Sequence, residues 1–425
     1  MNYRLLFFLL LLLLLGCTGC SSDIPPATTQ ETQAVIATQP VETTEATQPP
    51  RVYTTPTLPT AWQANCDEYL YLRKEPRVSQ ILQTLKPGDP ITLLGWDGIY
   101  AHVRSGDTEG YVLSQYIKPA EALWSALQVV SPTATYTYDQ MTYDINRLCG
   151  LYPESCSQTV IGASELGKEI PALLIGNPNA KNHVLLHGGI HGREHMTSWL
   201  LMAMADCWLS NNLDLMSDVC YHLIPMVNPD GVAISQTETL SETQTEIYQR
   251  DRARKYTSDS KTKYARLWKA NGLGVDLNRS FSAGWEYLNG PTSPSSQRYA
   301  GTEPFSAAEA KALRDYTLRY PFGATVSYHA YGSIIYYEYG NRQPANDQSL
   351  ELALVANTVT GYRPEGSLGV QGGGYKDWAI QELGIPSLTI EIGCQKTPLP
   401  ERELYSIFYR NLSLLPAIAQ WLTQQ

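Results

Sequence analysis

The chain has little that would let it cross a membrane by itself. Its longest apolar run, Leu5–Leu15, holds eleven residues, and a spanning helix takes about 20. It also lacks positive charge: 31 Lys and Arg stand against 41 Asp and Glu, for a net charge of −10 and no basic stripe. That balance argues against a nucleic-acid partner. Charged residues make up only 17% of the chain and hydrophobic ones 43%, the balance of an ordinary globular protein. Beyond Cys17 and Cys20, the cysteines at 66, 149, 156, 207, 220 and 394 show neither a C-x-x-C pair nor Cys/His finger spacing. Cys149 with Cys156, and Cys207 with Cys220, could each close a short loop or stand as free buried thiols, and spacing does not decide between these. No G-x-S-x-G is present, so a serine hydrolase of that type is excluded.

What the chain does contain falls into segments, and 425 residues make two or three domains the expectation. Arg4 followed by the short apolar run reads as a secretory signal over residues 1–20. Leu14-Leu15-Gly16-Cys17 resembles the bacterial lipoprotein processing box, which implies lipidation of Cys17, with Cys20 the weaker candidate. The expected location is therefore extracytoplasmic, lipid-anchored to the cell membrane or secreted. From 21 to 60, 18 of 40 residues are Thr or Pro and none is Gly, so this stretch cannot bury a core and reads as a disordered stalk. Residues 62–119 carry short apolar runs between turn residues, the pattern of a small β-barrel. The order Leu70-Tyr71-Leu72-Arg73, Lys86-Pro87-Gly88-Asp89, Trp96, Gly110-Tyr111-Val112 resembles the bacterial SH3-type domain. That resemblance implies a binding module for the cell wall. From 134 to 425 strands and helices alternate, which predicts an α/β sheet, mixed but mostly parallel and flanked by helices.

The chemistry gathers at His183-Val184-Leu185-Leu186-His187-Gly188-Gly189-Ile190-His191-Gly192-Arg193-Glu194. An apolar strand ends in a glycine turn, and two good zinc ligands follow, His191 and Glu194. A catalytic zinc takes three protein ligands and keeps one position open. Downstream, Thr325-Val326-Ser327-Tyr328-His329 is an apolar strand ending in histidine. Ser387-Leu388-Thr389-Ile390-Glu391 puts a lone carboxylate at the end of another, and an unpaired one is expensive to bury. Gly274-Val275-Asp276-Leu277-Asn278-Arg279 follows a short strand, and Asn228-Pro229-Asp230-Gly231 marks a sharp turn.

These segments, in this order from about Thr135 to Leu422, resemble the zinc metallocarboxypeptidase family. The resemblance implies the zinc carboxypeptidase-like fold, with Zn2+ bound by His191, Glu194 and His329. It makes Glu391 the general base and Asp276 the carboxylate that orients His191. Asn278 and Arg279 would hold a substrate carboxylate, a task suited to the guanidinium fork. Arg193 and Tyr331 would make further substrate contacts. Lys269 stands where the digestive members carry their oxyanion arginine, and Lys376 at the position that selects the substrate side chain. The mobile tyrosine of the family aligns with Gly369, with Tyr375 as the nearest substitute. His187 and His195 read as packing residues or as partners behind the metal ligands.

A cation at the selecting position, a surface anchor and a wall-binding module together imply cell-wall stem peptides as substrate. The member type implied is the one that cuts γ-D-glutamyl–diamino acid bonds. The alternatives are a general carboxypeptidase preferring acidic C-terminal residues and a non-catalytic cell-wall-binding lipoprotein. A third is a helical H-x-x-E-H zinc peptidase built on His191 and His195, which the glycines at 188, 189 and 192 oppose.

Overall fold

The computed structural model describes residues 59–120, 127–211, 219–366 and 372–425. The leader, Cys17, Cys20, the stalk up to residue 58 and Gly369 lie outside these described residues.

The first part is a seven-stranded antiparallel barrel. Its strands are β1 (Ala61–Ala64), β2 (Leu70–Arg73), β3 (Ile81–Leu85), β4 (Pro90–Asp97), β5 (Tyr100–Ser105), β6 (Thr108–Leu113) and β7 (Ile117–Pro119). Alternation drives it: Leu70 and Leu72 of β2, and Ala101 and Val103 of β5, point inward while their neighbours face out. The barrel does not hang free. The Trp62 ring meets Tyr409 edge-on at 5.5 Å, and Arg410 lies over Trp96 at 5.3 Å and Tyr362 at 4.1 Å. Gly98 N–H donates to the Gly361 carbonyl at 2.8 Å.

The larger part is built on an eight-stranded mixed sheet. Its strands are β8 (Cys156–Ala163), β9 (Glu169–Gly176), β10 (Asn182–His187), β11 (Val219–Ile224), β12 (Phe322–Ala330), β13 (Ile334–Tyr336), β14 (Arg363–Glu365) and β15 (Ser387–Ile392). The order is β14-β13-β15-β12-β10-β11-β9-β8. The central strands β15, β12, β10 and β11 run parallel, and β9 and β13 join them antiparallel.

Helices cover both faces, as the β10 side chains reveal. Val184 and Leu186 pack into one core with α1 (Tyr138–Leu151), α2 (Met196–Ser210) and the C-terminal helical segments Leu404–Asn411 and Leu414–Leu422. Leu185, between them, enters a second core with the helix Ala308–Thr317. A strand buried on both faces must be apolar throughout, which is why this part of the sequence runs without alternation. Helix α2 is apolar all round and wholly buried up to Leu209. Its one charge, Asp206, accepts hydrogen bonds from Val129 and Val130 N–H, both at 2.8 Å. Among the described residues every cysteine is a free thiol, and the Cys149 and Cys156 sulfurs lie 3.4 Å apart.

Candidate metal centre

The motif after β10 is held by its neighbours on every side. The Gly188-Gly189 turn is strapped to the end of β11: Gly188 N–H donates to the Ile224 carbonyl, and Asn228 N–H to that of Gly189. Thr197 Oγ1 accepts from Gly189 N–H and donates to the Glu194 carbonyl, both at 2.8 Å. Residues 192–194 form a single 3-10 turn, and α2 begins only at Met196. Gly192 is obligatory at its place, since a Cβ there would lie 2.3 Å from the Gly231 carbonyl oxygen. That closeness lets Gly192 and Arg193 N–H donate to the Lys269 and Trp268 carbonyls, at 3.0 and 2.8 Å. The Asn228-Pro229-Asp230-Gly231 stretch is a helix start. Asn228 Oδ1 caps it by accepting from Gly231 N–H at 2.8 Å, while Nδ2 donates to the Ile190 and Ala270 carbonyls.

This scaffold brings His191 and Glu194 to the carboxyl end of β12, where His329 stands. The ligand atoms of the three residues lie within 4.8 Å of one another, all buried. Glu194 Oε1 is 3.0 Å from His191 Nδ1, and its Oε2 is 3.0 Å from His329 Nδ1. The Ala330 N–H also donates to Oε2, at 3.2 Å. His191 turns its other nitrogen, Nε2, to Asp276 Oδ1 at 3.1 Å, and Asp276 Oδ2 accepts from Arg298 N–H at 2.8 Å. A histidine whose far nitrogen is held by a carboxylate presents an oriented lone pair to a metal. Two imidazoles and one carboxylate suit zinc and leave a fourth position for water or substrate. The helical alternative is not what folds, because the helix starts only at Met196, after the motif, and the clustered ligand atoms belong to His191, Glu194 and His329.

Glu391 is the register partner of His329 on β15, so its side chain issues on the same face one strand away. Burial pushes its carboxyl up to about 8, helped by the negative Glu194 and opposed by Lys269 and Arg193. Glu194 behaves the opposite way. Burial raises it too, but His191, Lys269 and the histidine hydrogen bonds outweigh that and hold it well below the usual carboxylate range. The same contest, dominated by His191 with help from Arg279 and Lys269, holds Asp276 far below that range. Two carboxyls are thus held ionised, one among the ligand atoms and one behind His191, while Glu391 has the raised proton affinity of a proton acceptor.

The cations ring the same cleft. Lys269 Nζ lies 3.5 Å from Glu194 Oε1. Arg193, one residue from that ligand, donates through Nη1 to the Leu267 carbonyl at 3.5 Å. Arg279 Nη1 donates to the Asn278 carbonyl at 2.9 Å, and Asn278 Oδ1 accepts from Tyr375 N–H at 3.1 Å. Behind them runs Gly372-Gly373-Gly374. Gly373 has φ +79°, and a Cβ there would come within 2.9 Å of the Arg279 carbonyl oxygen. Tyr331 stands at the rim, 42% exposed.

Two expectations change here. Lys376 is not a bare cation: its ammonium donates to Asp377 Oδ1 and the Glu338 carbonyl, both at 2.7 Å, which leaves one of its three N–H donors. Tyr375 cannot stand in for a mobile tyrosine. It is fully buried between His187 and Phe281, with its hydroxyl hydrogen-bonded to Thr317. An aromatic next to a cleft motif looks the same in sequence whether it faces in or out. Reasoning on residues also missed Thr197, the capping role of Asn228 and the Ala330 N–H. Only Asn228 left a signal, in the Asn-Pro-Asp-Gly run that serves equally for a turn and an N-cap.

Taken together, the cluster is the metal centre of a hydrolase class: two histidines and a glutamate at the carboxyl ends of parallel strands, a carboxylate beside them and a ring of cations. Comparison with known proteins agrees. The zinc carboxypeptidase family model matches residues 141–412, and the bacterial SH3 domain model matches residues 68–118. The chain is 31% identical over 303 residues to gamma-D-glutamyl-L-diamino acid endopeptidase 1 of Lysinibacillus sphaericus, covering 68% of this chain and 74% of that one. It is 29% identical over 297 residues to carboxypeptidase B of Astacus astacus, covering 64% and 91%. The crystal structure of thrombin activatable fibrinolysis inhibitor superposes with a TM-score of 0.56 at 21% identity, over 70% of this chain and 81% of that one, a likeness of fold. The chain belongs to the zinc carboxypeptidase family and is a zinc-dependent peptidase.

Proposed function

We propose that this protein is a surface-anchored peptidase that hydrolyses cell-wall stem peptides at γ-D-glutamyl–diamino acid bonds. The observation that carries the hydrolytic part is the convergence of His191, Glu194 and His329 beside Glu391. Zinc held by His191, Glu194 and His329 would polarise the scissile carbonyl and make a water acidic enough to attack near neutral pH. Glu391 accepts that water's proton on its carboxylate and returns it to the leaving amine. No side chain among the described residues hydrogen-bonds the Glu391 carboxylate, so its oxygens are free for this transfer. Lys269 supplies positive charge where the tetrahedral oxygen develops, and Asp276 keeps His191 in register. Asn278 and Arg279 clamp a substrate carboxylate, and Arg193 and Tyr331 line the approach.

The substrate reading rests on three supports: the endopeptidase relative, the SH3-type barrel, and a lysine at position 376 that keeps one N–H donor unused by its two hydrogen bonds. Cys17 would tether the chain through lipid. A carboxypeptidase reading is favoured by the Asn278–Arg279 pair and by the carboxypeptidase B relative. Mass analysis of defined muropeptides incubated with and without a chelator separates the two. Cleavage at the γ-D-glutamyl bond supports the proposal; release of ordinary C-terminal residues, with stem peptides intact, overturns it.

A further inference from the structure

The larger sheet carries a second convergence of metal-binding side chains, at the opposite end of the strands from the catalytic cluster. His183 is the second residue of β10, and Cys220 and His222 lie on β11. His183 and Cys220 are register partners, and His222 follows two residues on, so all three share one face. Their ligand atoms lie within 4.8 Å of one another, and all three residues are buried. His183 lies near the start of the strand that His191 follows, eight positions on, so at about 3.3 Å per strand residue the two clusters are separate sites.

The hydrogen bonds around the rings are those of held ligands. His183 Nδ1 and His222 Nε2 face each other at 2.9 Å. On the far side of His222, Nδ1 meets Tyr316 Oη at 2.7 Å, and the Tyr320 ring packs against His183. Tyr320 and Phe322 pack against His222 and close the site from solvent. Such outer partners fix which nitrogen stays free, and a thiol with two imidazoles is a donor set for a borderline-soft ion.

We propose that His183, Cys220 and His222 bind a second zinc ion, structural rather than catalytic, that ties β10 to β11 at their amino ends. On binding, the Cys220 thiol proton leaves to solvent. The imidazole proton between the rings moves to His222 Nδ1, where Tyr316 Oη accepts it. The net change is one proton released, the hydrogen bond between the rings broken, and one thiolate–metal and two imidazole–metal bonds formed.

Cobalt distinguishes the sites. The catalytic ligands are nitrogen and oxygen only, so a thiolate-to-cobalt band in the near ultraviolet that vanishes in Cys220→Ser reports the second site. The full-length protein, loaded with zinc and dialysed, is expected to retain about two ions per chain, and His329→Ala about one. Cobalt-loaded wild type and His329→Ala should both show the thiolate band, and Cys220→Ser should lose it while keeping the catalytic ion and turnover. A wild type that holds a single ion and shows no thiolate band overturns the proposal, leaving a plain His–His–Tyr hydrogen-bond chain. That measurement decides even if Cys220→Ser fails to fold, and it is independent of which peptide is cut.

Discussion

Replacing Asp276 by Asn weakens the contact that orients a metal ligand without touching the metal position. In the native protein Asp276 Oδ1 lies 3.1 Å from His191 Nε2, and the buried carboxylate is held ionised chiefly by that histidine against the cost of burial. A hydrogen bond to a charged group contributes about 1.5–3 kcal/mol, and one between neutral groups about 0.5–1.5. With its amide oxygen kept toward His191 the substitution loses that difference, about 1–1.5 kcal/mol, and because its amide nitrogen cannot accept from Arg298 N–H this is a lower bound. At about 1.4 kcal/mol per decade that is roughly a tenfold weaker zinc site. Asp276→Ala removes the acceptor and the Arg298 N–H contact as well, and should approach the hundredfold end of the range for such outer partners. Competition against a chelator of known affinity reads both values, and thermal unfolding of the metal-free variants controls for fold. An Asp276→Asn protein with wild-type zinc affinity would refute the argument that this carboxylate prepares His191.

Glu391→Gln should lower kcat/KM by about 10²–10⁴ with zinc content unchanged, since it removes a proton carrier and no ligand; a matching loss of metal would reassign the residue. Glu309, fully buried, is raised to about 7 mainly by burial, against hydrogen bonds from Asn271 and Glu165 N–H that favour its charge. The folded state therefore binds more protons than the unfolded one between about pH 4.5 and 7, so this residue's contribution is full below that window and lost as pH rises through it. The upper bound is about 3 kcal/mol. Glu309→Gln should flatten that slope in denaturant titrations, and an unchanged slope would exonerate Glu309. Lys376→Ile should reduce turnover of acidic substrates far more than of neutral ones, measured as the ratio of kcat/KM; equal losses would place the residue in the framework with Asp377.

Sequence alone determined the ligand types and the strands that carry them. An apolar run that does not alternate has to be buried on both faces, and a histidine or glutamate at its end lies at the carboxyl edge, where sites in such sheets form. His191, Glu194, His329 and Glu391 were legible for that reason, aided by the order of motifs. The barrel was legible from alternation and turn residues. Tertiary structure alone decided what sequence spacing does not encode. The Gly192–Gly231 contact set where Lys269 falls. The β12–β15 register put Glu391 beside His329. Packing turned Tyr375 into the core and paired Lys376 with Asp377. The His183, Cys220 and His222 cluster belongs to the same kind, because it forms only where β10 and β11, separated in the chain by helix α2, pair in one register that no local pattern specifies. Local sequence chooses which groups are available, and long-range pairing chooses which of them share a charge, a proton or an ion.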